Sequence, residues 1–290
     1  MITRKRGESN KSLEYNETMK IPYINISDNV EIPQIGFGTW MLKDEIECKN
    51  AIKYALVTGY RHIDTAQIYE NEQFVGDTLE ESAIPRDELF ITTKIWNENM
   101  YWDDVEISLN ESLRKLKTNY VDLLLLHFPV TNLRRPAWHR MQDMLKVGKT
   151  RAIGVSNYTI KHLEELLREC DIKPAVNQVE LHVYLQQPEL VKYCKDNNII
   201  LEAYSPLAHG YEMKNPILDN IAKRYNKSVA QIMIRWCLDK GFVTLPKSAH
   251  ANYIKDNFNV YDFKLDQEDL TKIQKLDKDL RTCWDPTHVA

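Results

Sequence analysis

Asp64, Tyr69, Lys94 and His127 are the residues whose types and positions in this chain suggest chemistry. Residues 61–72, RHIDTAQIYENE, read as a strand that runs out into a polar loop and starts a helix with Asn71 as its N-cap. An Asp at a strand end and a Tyr in the next loop are odd choices for packing alone. They become a sensible pair if a cation joins them. LFITTKIW places Lys94 near the end of a second strand, and VDLLLLHF places His127 at the end of a third. If these strands are parallel neighbours, the four side chains converge on one rim of the sheet, where parallel α/β proteins carry their chemistry. His62 is expected on the opposite face of the strand from Asp64 and reads as structural.

The elements that must position these residues repeat along the chain. IPYINI and VEIP flank the turn residues Ser27-Asp28-Asn29, which predicts a β-hairpin. QIGFG predicts a first barrel strand, followed by a helix over 44–57 that Gly59 stops. RHIDTA leads to the helix NEQFVGDTLEES, LFITTKIW to a helix over 102–117, and VDLLLLHF to one over 138–147. RAIGVSN precedes 161–170, AVNQVEL precedes 188–197, and IILEAYSPL precedes one long helical stretch over 217–240. FVTLPKS precedes 252–257 and a final helix beyond Leu265. The strands are apolar on both faces, as a buried parallel sheet requires. Eight strand-then-helix units in a chain of 290 residues predict an α/β fold, a TIM (β/α)8 barrel with an N-terminal β-hairpin. The expected organisation is a flexible extension over 1–20 and a single barrel domain over 21–290.

Composition narrows the function. The chain is 43% hydrophobic and 28% charged with a net charge of -4, which gives no reason to expect nucleic acid or an anionic membrane as partner. The five cysteines, Cys48, Cys170, Cys194, Cys237 and Cys283, are scattered and read as reduced thiols. There is no apolar run of transmembrane length, and the polar N-terminus lacks the apolar core of a secretory signal, so a cytoplasmic protein is expected. The candidate residues have no metal-ligand spacing, so no metal is expected.

Gly36-Phe37-Gly38-Thr39-Trp40-Met41 begins like a dinucleotide-binding fingerprint, but Met41 stands where the last Gly belongs, and the Rossmann reading fails. The elements GFGTW, HIDTAQIYENEQFVG, TTKIW, VDLLLLHFP, GVSN, NQVELH, AYSPLA and LPKS, in this order and spacing, resemble the aldo-keto reductase family from about Gly36 to the C-terminus. The short loops and the terminal TCWDPTHV are most similar to its prokaryotic-type branch, which includes diketogluconate and aldehyde reductases.

The resemblance implies a tetrad. Tyr69 would be the general acid that protonates a carbonyl oxygen as hydride reaches the carbon, Lys94 would lower the phenol's pKa, Asp64 would hold Lys94, and His127 would orient the carbonyl. It also implies NADPH. Ser156, Asn157 and Gln178 look like the carboxamide contacts, and Tyr204 looks like the ring that stacks on the nicotinamide. Gly38, Thr39, Trp40 and Asp64 would line the ribose side, Ser205 and Leu207 the pyrophosphate, Lys247 and Ser248 the 2'-phosphate, and Asn257 the adenine. Taken singly, Ser156 or Asn157 serves equally well as a turn or cap residue. The implied substrate pocket is aromatic, formed by Trp40, Trp96, His127, Phe128 and Trp284.

Two departures from the family pattern matter. Tyr253 stands where the family usually has an Arg that clamps the 2'-phosphate, which softens the preference for NADPH and opens NADH use. The usual His-Trp-Pro is His127-Phe128-Pro129, so the pocket wall lacks an indole. Arg134 and Arg135 near the mouth are expected as solvated surface cations, with attraction of acidic substrates as the alternative. The expectation is therefore a monomeric NADPH-dependent reductase of aldehydes and ketones. Its rival is a cofactor-sensing regulatory module of the same fold with little turnover.

Overall fold

The computed structural model describes residues 21–290, and the extension expected over 1–20 lies outside the described residues. Strands β1 (Tyr23–Ser27) and β2 (Val30–Pro33) pair antiparallel as the expected hairpin. Eight parallel strands follow: β3 (Phe37–Gly38), β4 (His62–Asp64), β5 (Phe90–Ile95), β6 (Val121–Leu126), β7 (Thr150–Ser156), β8 (Val176–Glu180), β9 (Ile200–Tyr204) and β10 (Val243–Leu245). Each pairs with the next in chain order. A parallel bridge between Ile35 and Thr244, with Gly36 N donating to Thr244 O and Thr244 N to Gln34 O, joins β10 back to the start of the first barrel strand.

Between the strands run α1 (Glu45–Thr58), α2 (Glu72–Glu81), α3 (Trp102–Lys115), α4 (Arg134–Lys146), α5 (Ile160–Leu167), α6 (Pro188–Asp196), α7 (Pro216–Tyr225), α8 (Val229–Asp239), α9 (Ala251–Phe258) and α10 (Gln267–Gln274). Their ends follow local chemistry. Asp44 caps α1 by accepting from Glu47 N at 2.9 Å, and Gly59, at φ 122, closes it. The single stretch expected over 217–240 is two helices. Asn226 is left-handed at φ 53 and ends α7, and Ser228 and Gln231 form a reciprocal capping box that starts α8. Asn71 is the N-cap residue of α2 as expected, but without a side-chain capping bond. Its side chain donates to Thr39 O and Leu42 O and accepts from Thr65, so it fastens two rim loops together at the start of α2.

Side chains alternate between the barrel interior and the helical layer. Leu124 and Leu126 of β6 pack outward in the large core shared with the helices. Leu123 and Leu125 join Ile26, Val30 and Ile32 of the hairpin, with Phe90, Val176 and Val243, and this cluster plugs the N-terminal end of the barrel. The opposite end is left for the polar strand termini. Among the described residues all five cysteines are free thiols, and no helix is long and apolar enough to cross a membrane.

Helix spacing is tight at Gly76 of α2, where an added Cβ would lie 2.1 Å from Lys115 O and 2.7 Å from the Leu116 backbone. An alanine would raise helix propensity by about 1 kcal/mol, but the carbonyl has no flexible end that can yield. Gly76→Ala is expected to lower stability by about 1–3 kcal/mol, read from the midpoint of chemical unfolding. A stabilised variant would show that α2 and α3 have room to separate.

Candidate active site

At the C-terminal end of the barrel, Lys94 is completely buried and reaches the rim from β5. Its ammonium donates to Asp64 Oδ1 at 2.6 Å, to Thr65 O at 2.9 Å and to the Tyr69 hydroxyl at 3.4 Å. The His127 ring lies edge-on to that of Tyr69, centroids 5.7 Å apart. The four residues singled out in the sequence are thus gathered at one rim. Asp64 is fully bonded: its second oxygen accepts from Gln178 Nε2 at 2.8 Å.

Burial sets the protonation states. His127 is held well below its ordinary value by burial and then by the Lys94 charge, so its ring is neutral. Tyr69 is pushed well above its ordinary value by burial, then by Asp64, Cys283 and Glu202. Burial thus outweighs the acidification expected from Lys94. The ammonium is shared with Asp64 and Thr65 O, and the phenol keeps its proton. His62 also departs from expectation. Residues two apart share a strand face, and His62 points into the barrel beside Asp64, 3.0 Å from Thr92 Oγ1.

The expected cofactor residues divide into two groups. Ser156, Asn157, Gln178 and Tyr204 form one connected patch at the ends of β7, β8 and β9. Ser156 Oγ donates to Gln178 O at 2.9 Å, Asn157 Nδ2 to His127 O at 3.0 Å, and the Tyr204 hydroxyl to Asn157 Oδ1 at 2.7 Å. Asn157 holds a left-handed φ of 64, which turns its side chain back over the strand ends. Across the mouth, Gly38 stands beside Asp64 in register, and Thr39 donates its hydroxyl to Asp64 O at 2.9 Å. Ser205 contacts His209 and Cys283, Leu207 packs against the core, and Ser248 Oγ accepts from His250 N. Lys247 is half-buried near Gly38, Asn257 is buried on α9, and exposed Tyr253 lies edge-on to His250 at 5.7 Å.

The substrate-side aromatics converge. Trp96 lies 5.2 Å from the His127 ring and 5.6 Å from Trp284, and Phe128 lies 6.3 Å from Trp284. Trp40 stands apart from this cluster, edge-on to His209 at 5.2 Å. Trp284 is delivered by a tail whose anchor the sequence reading missed. Buried Glu180 accepts from Thr282 N at 2.7 Å, Thr282 Oγ1 at 2.5 Å and Cys283 N at 3.1 Å. Burial works against its charge, yet bonds from His182 and Thr282 hold its carboxyl below the usual range. Further along, His162 bonds Val289 O and Arg134 donates to Ala290 O. Arg134 is thus no solvated surface cation: it is buried, pairs with Glu165 and fastens the tail. Arg135 pairs with Glu169 in the open. A single Glu inside each of two strands expected to be buried, NQVEL and ILEAY, was the available signal for Glu180 and Glu202.

The chain matches the family model described as the aldo/keto reductase family over residues 34–278. It is 44% identical over 263 residues to the glyoxal reductase of Bacillus subtilis, covering 91% of this chain and 95% of that protein. It is 43% identical over 266 residues to the 9,11-endoperoxide prostaglandin H2 reductase of Trypanosoma cruzi, covering 91% and 94%. Among solved structures, a Bombyx mori aldo-keto reductase in complex with NADP superposes with a TM-score of 0.87 at 33% identity, covering 91% of this chain and 95% of that one.

Proposed function

Because the chain belongs to the aldo/keto reductase family, we propose that it reduces aldehydes and ketones to alcohols with NADPH, Tyr69 supplying the proton. The observation that carries this reading is the Lys94 ammonium held between the Asp64 carboxylate and the Tyr69 phenol, with a neutral His127 ring facing the same space.

The residues present fit a nicotinamide cofactor. Gly38 N donates to Pro246 O at 3.2 Å and a Cβ on Gly38 would lie 3.8 Å from Lys247 Cβ, so the ends of β3 and β10 bring the ribose-side residues and Lys247 together. The hydrogens of Ser156, Asn157 and Gln178 are engaged within the patch, which leaves Gln178 Oε1 and the remaining lone pairs of Ser156 Oγ and Asn157 Oδ1 to accept from a carboxamide N–H, and Tyr204 adds a ring beside them. Lys247 and Ser248 suit a phosphate dianion. When bound, the reduced nicotinamide supplies the hydride.

The chain's own residues then handle the carbonyl. His127 carries an N–H in its neutral form and orients the carbonyl oxygen beside the Tyr69 hydroxyl. An alkoxide developing at that oxygen is a stronger base than a phenolate, so Tyr69 releases its proton even though burial has raised its pKa. Lys94, 3.4 Å away, stabilises the phenolate that remains. Trp96, Phe128 and Trp284 offer apolar surface, which suits small aldehydes and α-dicarbonyls of the kind the Bacillus subtilis relative is named for. A monomer working in the cytoplasm is part of this proposal.

The test follows the absorbance of NADPH with glyoxal, methylglyoxal and an aromatic aldehyde. Tight cofactor binding without turnover on any of them would sink the reductase reading in favour of cofactor sensing. The phosphate assignment has its own test. Lys247→Ala is expected to weaken NADPH binding by roughly ten- to hundredfold, the loss of one charge-assisted hydrogen bond, with NADH binding unchanged. Equal weakening of both cofactors in fluorescence titrations would place the 2'-phosphate elsewhere.

A further inference from the structure

The barrel interior holds a carboxyl group that the chemistry above does not use. Glu202, on β9, is in register with Gln178 of β8 and Val243 of β10 and is completely buried. Its oxygens differ in their surroundings. Oε2 accepts from Gln178 Nε2 at 2.8 Å, whereas Oε1 has no hydrogen-bond partner among the described residues and faces His62 Nε2 at 3.6 Å. The same Gln178 nitrogen donates to Asp64 Oδ2, also at 2.8 Å. One amide nitrogen therefore ties Glu202 to the carboxylate that grips Lys94.

Resting on the reductase reading, we propose that Glu202 is a positioning residue for carbonyl reduction: through the shared Gln178 amide it orients the carboxamide contact, and its proton sets the charge felt by Asp64, Lys94 and Tyr69. The orientation follows from valence. A carbonyl oxygen in place of that nitrogen would face the Asp64 carboxylate with no hydrogen to share. The nitrogen's two hydrogens thus serve the two carboxyl groups, and Gln178 Oε1 is left to accept from an incoming N–H.

The charge follows from the count of cations. The titratable and charged groups facing Glu202 are His62 and Asp64 of β4 and Lys94 of β5, with Tyr69 beyond Lys94. Two buried carboxylates sharing one amide cannot both ionise beside a single ammonium. Asp64 has Lys94 at 2.6 Å. His62 offers Glu202 no charge, since burial and then Lys94 lower the imidazole to about 3. Burial and then the Asp64 charge push the Glu202 carboxyl up to about 8. Glu202 is accordingly protonated near neutral pH, and its ionisation places a second negative charge in the interior. That charge disfavours the phenolate left when Tyr69 gives up its proton, so reduction slows as Glu202 ionises.

The experiment compares kcat/KM for methylglyoxal or an aromatic aldehyde across pH in wild type and Glu202→Gln. The wild type is expected to fall by up to about tenfold through a limb centred near pH 8, the effect of about one unit on Tyr69. Glu202→Gln should lack that limb. Two readouts on the cofactor-free protein accompany it. The infrared band of a protonated carboxylic acid should vanish as pH rises through about 8 in wild type and be absent from the variant. Because the folded pKa is raised, the native state holds a proton that the unfolded chain releases near about pH 4.3. Stability should therefore fall as pH rises from there to about 8, and Glu202→Gln should flatten that slope.

An active wild type whose pH profile is unchanged in Glu202→Gln overturns the role of Glu202 alone. A wild type that turns over no carbonyl removes the reductase reading and this role with it. If the variant does not fold, the wild-type infrared titration decides, and absence of the acid band at neutral pH overturns the proposal.

Discussion

Tyr69→Phe is expected to lower kcat for carbonyl reduction by roughly 10²–10⁴-fold, the range for loss of a positioned general acid, with NADPH binding unchanged. The substitution removes one oxygen and keeps the ring that packs edge-on to His127. Lys94 retains Asp64 and Thr65 O as partners, so the ion pair does not depend on the phenol. Because Tyr69 is pushed well above its ordinary value, no loss of activity from its ionisation is expected across the neutral range. Steady-state rates give kcat, and quenching of protein fluorescence gives cofactor affinity. Undiminished turnover in Tyr69→Phe would remove the proton donor from the centre of the site.

Much of the fold was legible because apolar runs and their punctuation carry the strand-then-helix period. Gly59 ends α1 as expected, and the hairpin turn falls at Asp28 and Asn29. The break between α7 and α8 was missed for a physical reason. Residues 217–240 keep a continuous apolar stripe, and what separates the helices is the left-handed Asn226 with the Ser228–Gln231 box, three polar residues that also occur on helix surfaces. The role of Asn71 was illegible for a similar reason. Position and residue type suit a cap, and only the tertiary approach of Thr39, Leu42 and Thr65 claims its side chain.

At the site, strand-end polarity identified residues that the barrel does gather, because strands β4, β5 and β6 are consecutive neighbours. Side-chain direction was the weaker inference. Placing His62 on the face opposite Asp64 miscounted a period of two, and it hid the row His62, Glu202, Gln178, Asp64 and Lys94 along the interior. Glu180 was passed over because the segment it anchors, Thr282 and Cys283, lies about a hundred residues away in the chain. Arg134 looked like a surface cation because its partner Glu165 belongs to the next helix, α5. The pairings of Glu180 and Arg134 are long-range and polar, which local pattern does not encode.

Lys94→Met carries the second large expected effect, and it falls on stability as well as activity. Methionine keeps most of the apolar stem, so the loss is chiefly electrostatic. Asp64 would remain buried with, among the described residues, only the Gln178 side chain as donor, sharing that amide with Glu202 and with no cation beside it. Breaking a buried pair in this way costs about 3–5 kcal/mol at neutral pH. The pH dependence has a definite sign. With the lowering contribution of Lys94 gone, the Asp64 carboxyl rises further above its unfolded value of about 3.9. A raised folded pKa means that stability is present below that unfolded value and lost as pH rises through the folded one. The deficit of Lys94→Met should therefore be small near pH 4 and full at neutral pH, measured by chemical unfolding at both. Adding Asp64→Asn should recover part of it, because the amide needs no counter-charge. A variant as stable as wild type at neutral pH would mean that Asp64 is not held ionised by Lys94. In that case the phenolate left by Tyr69 would lose the charge balance on which the proposed proton transfer rests.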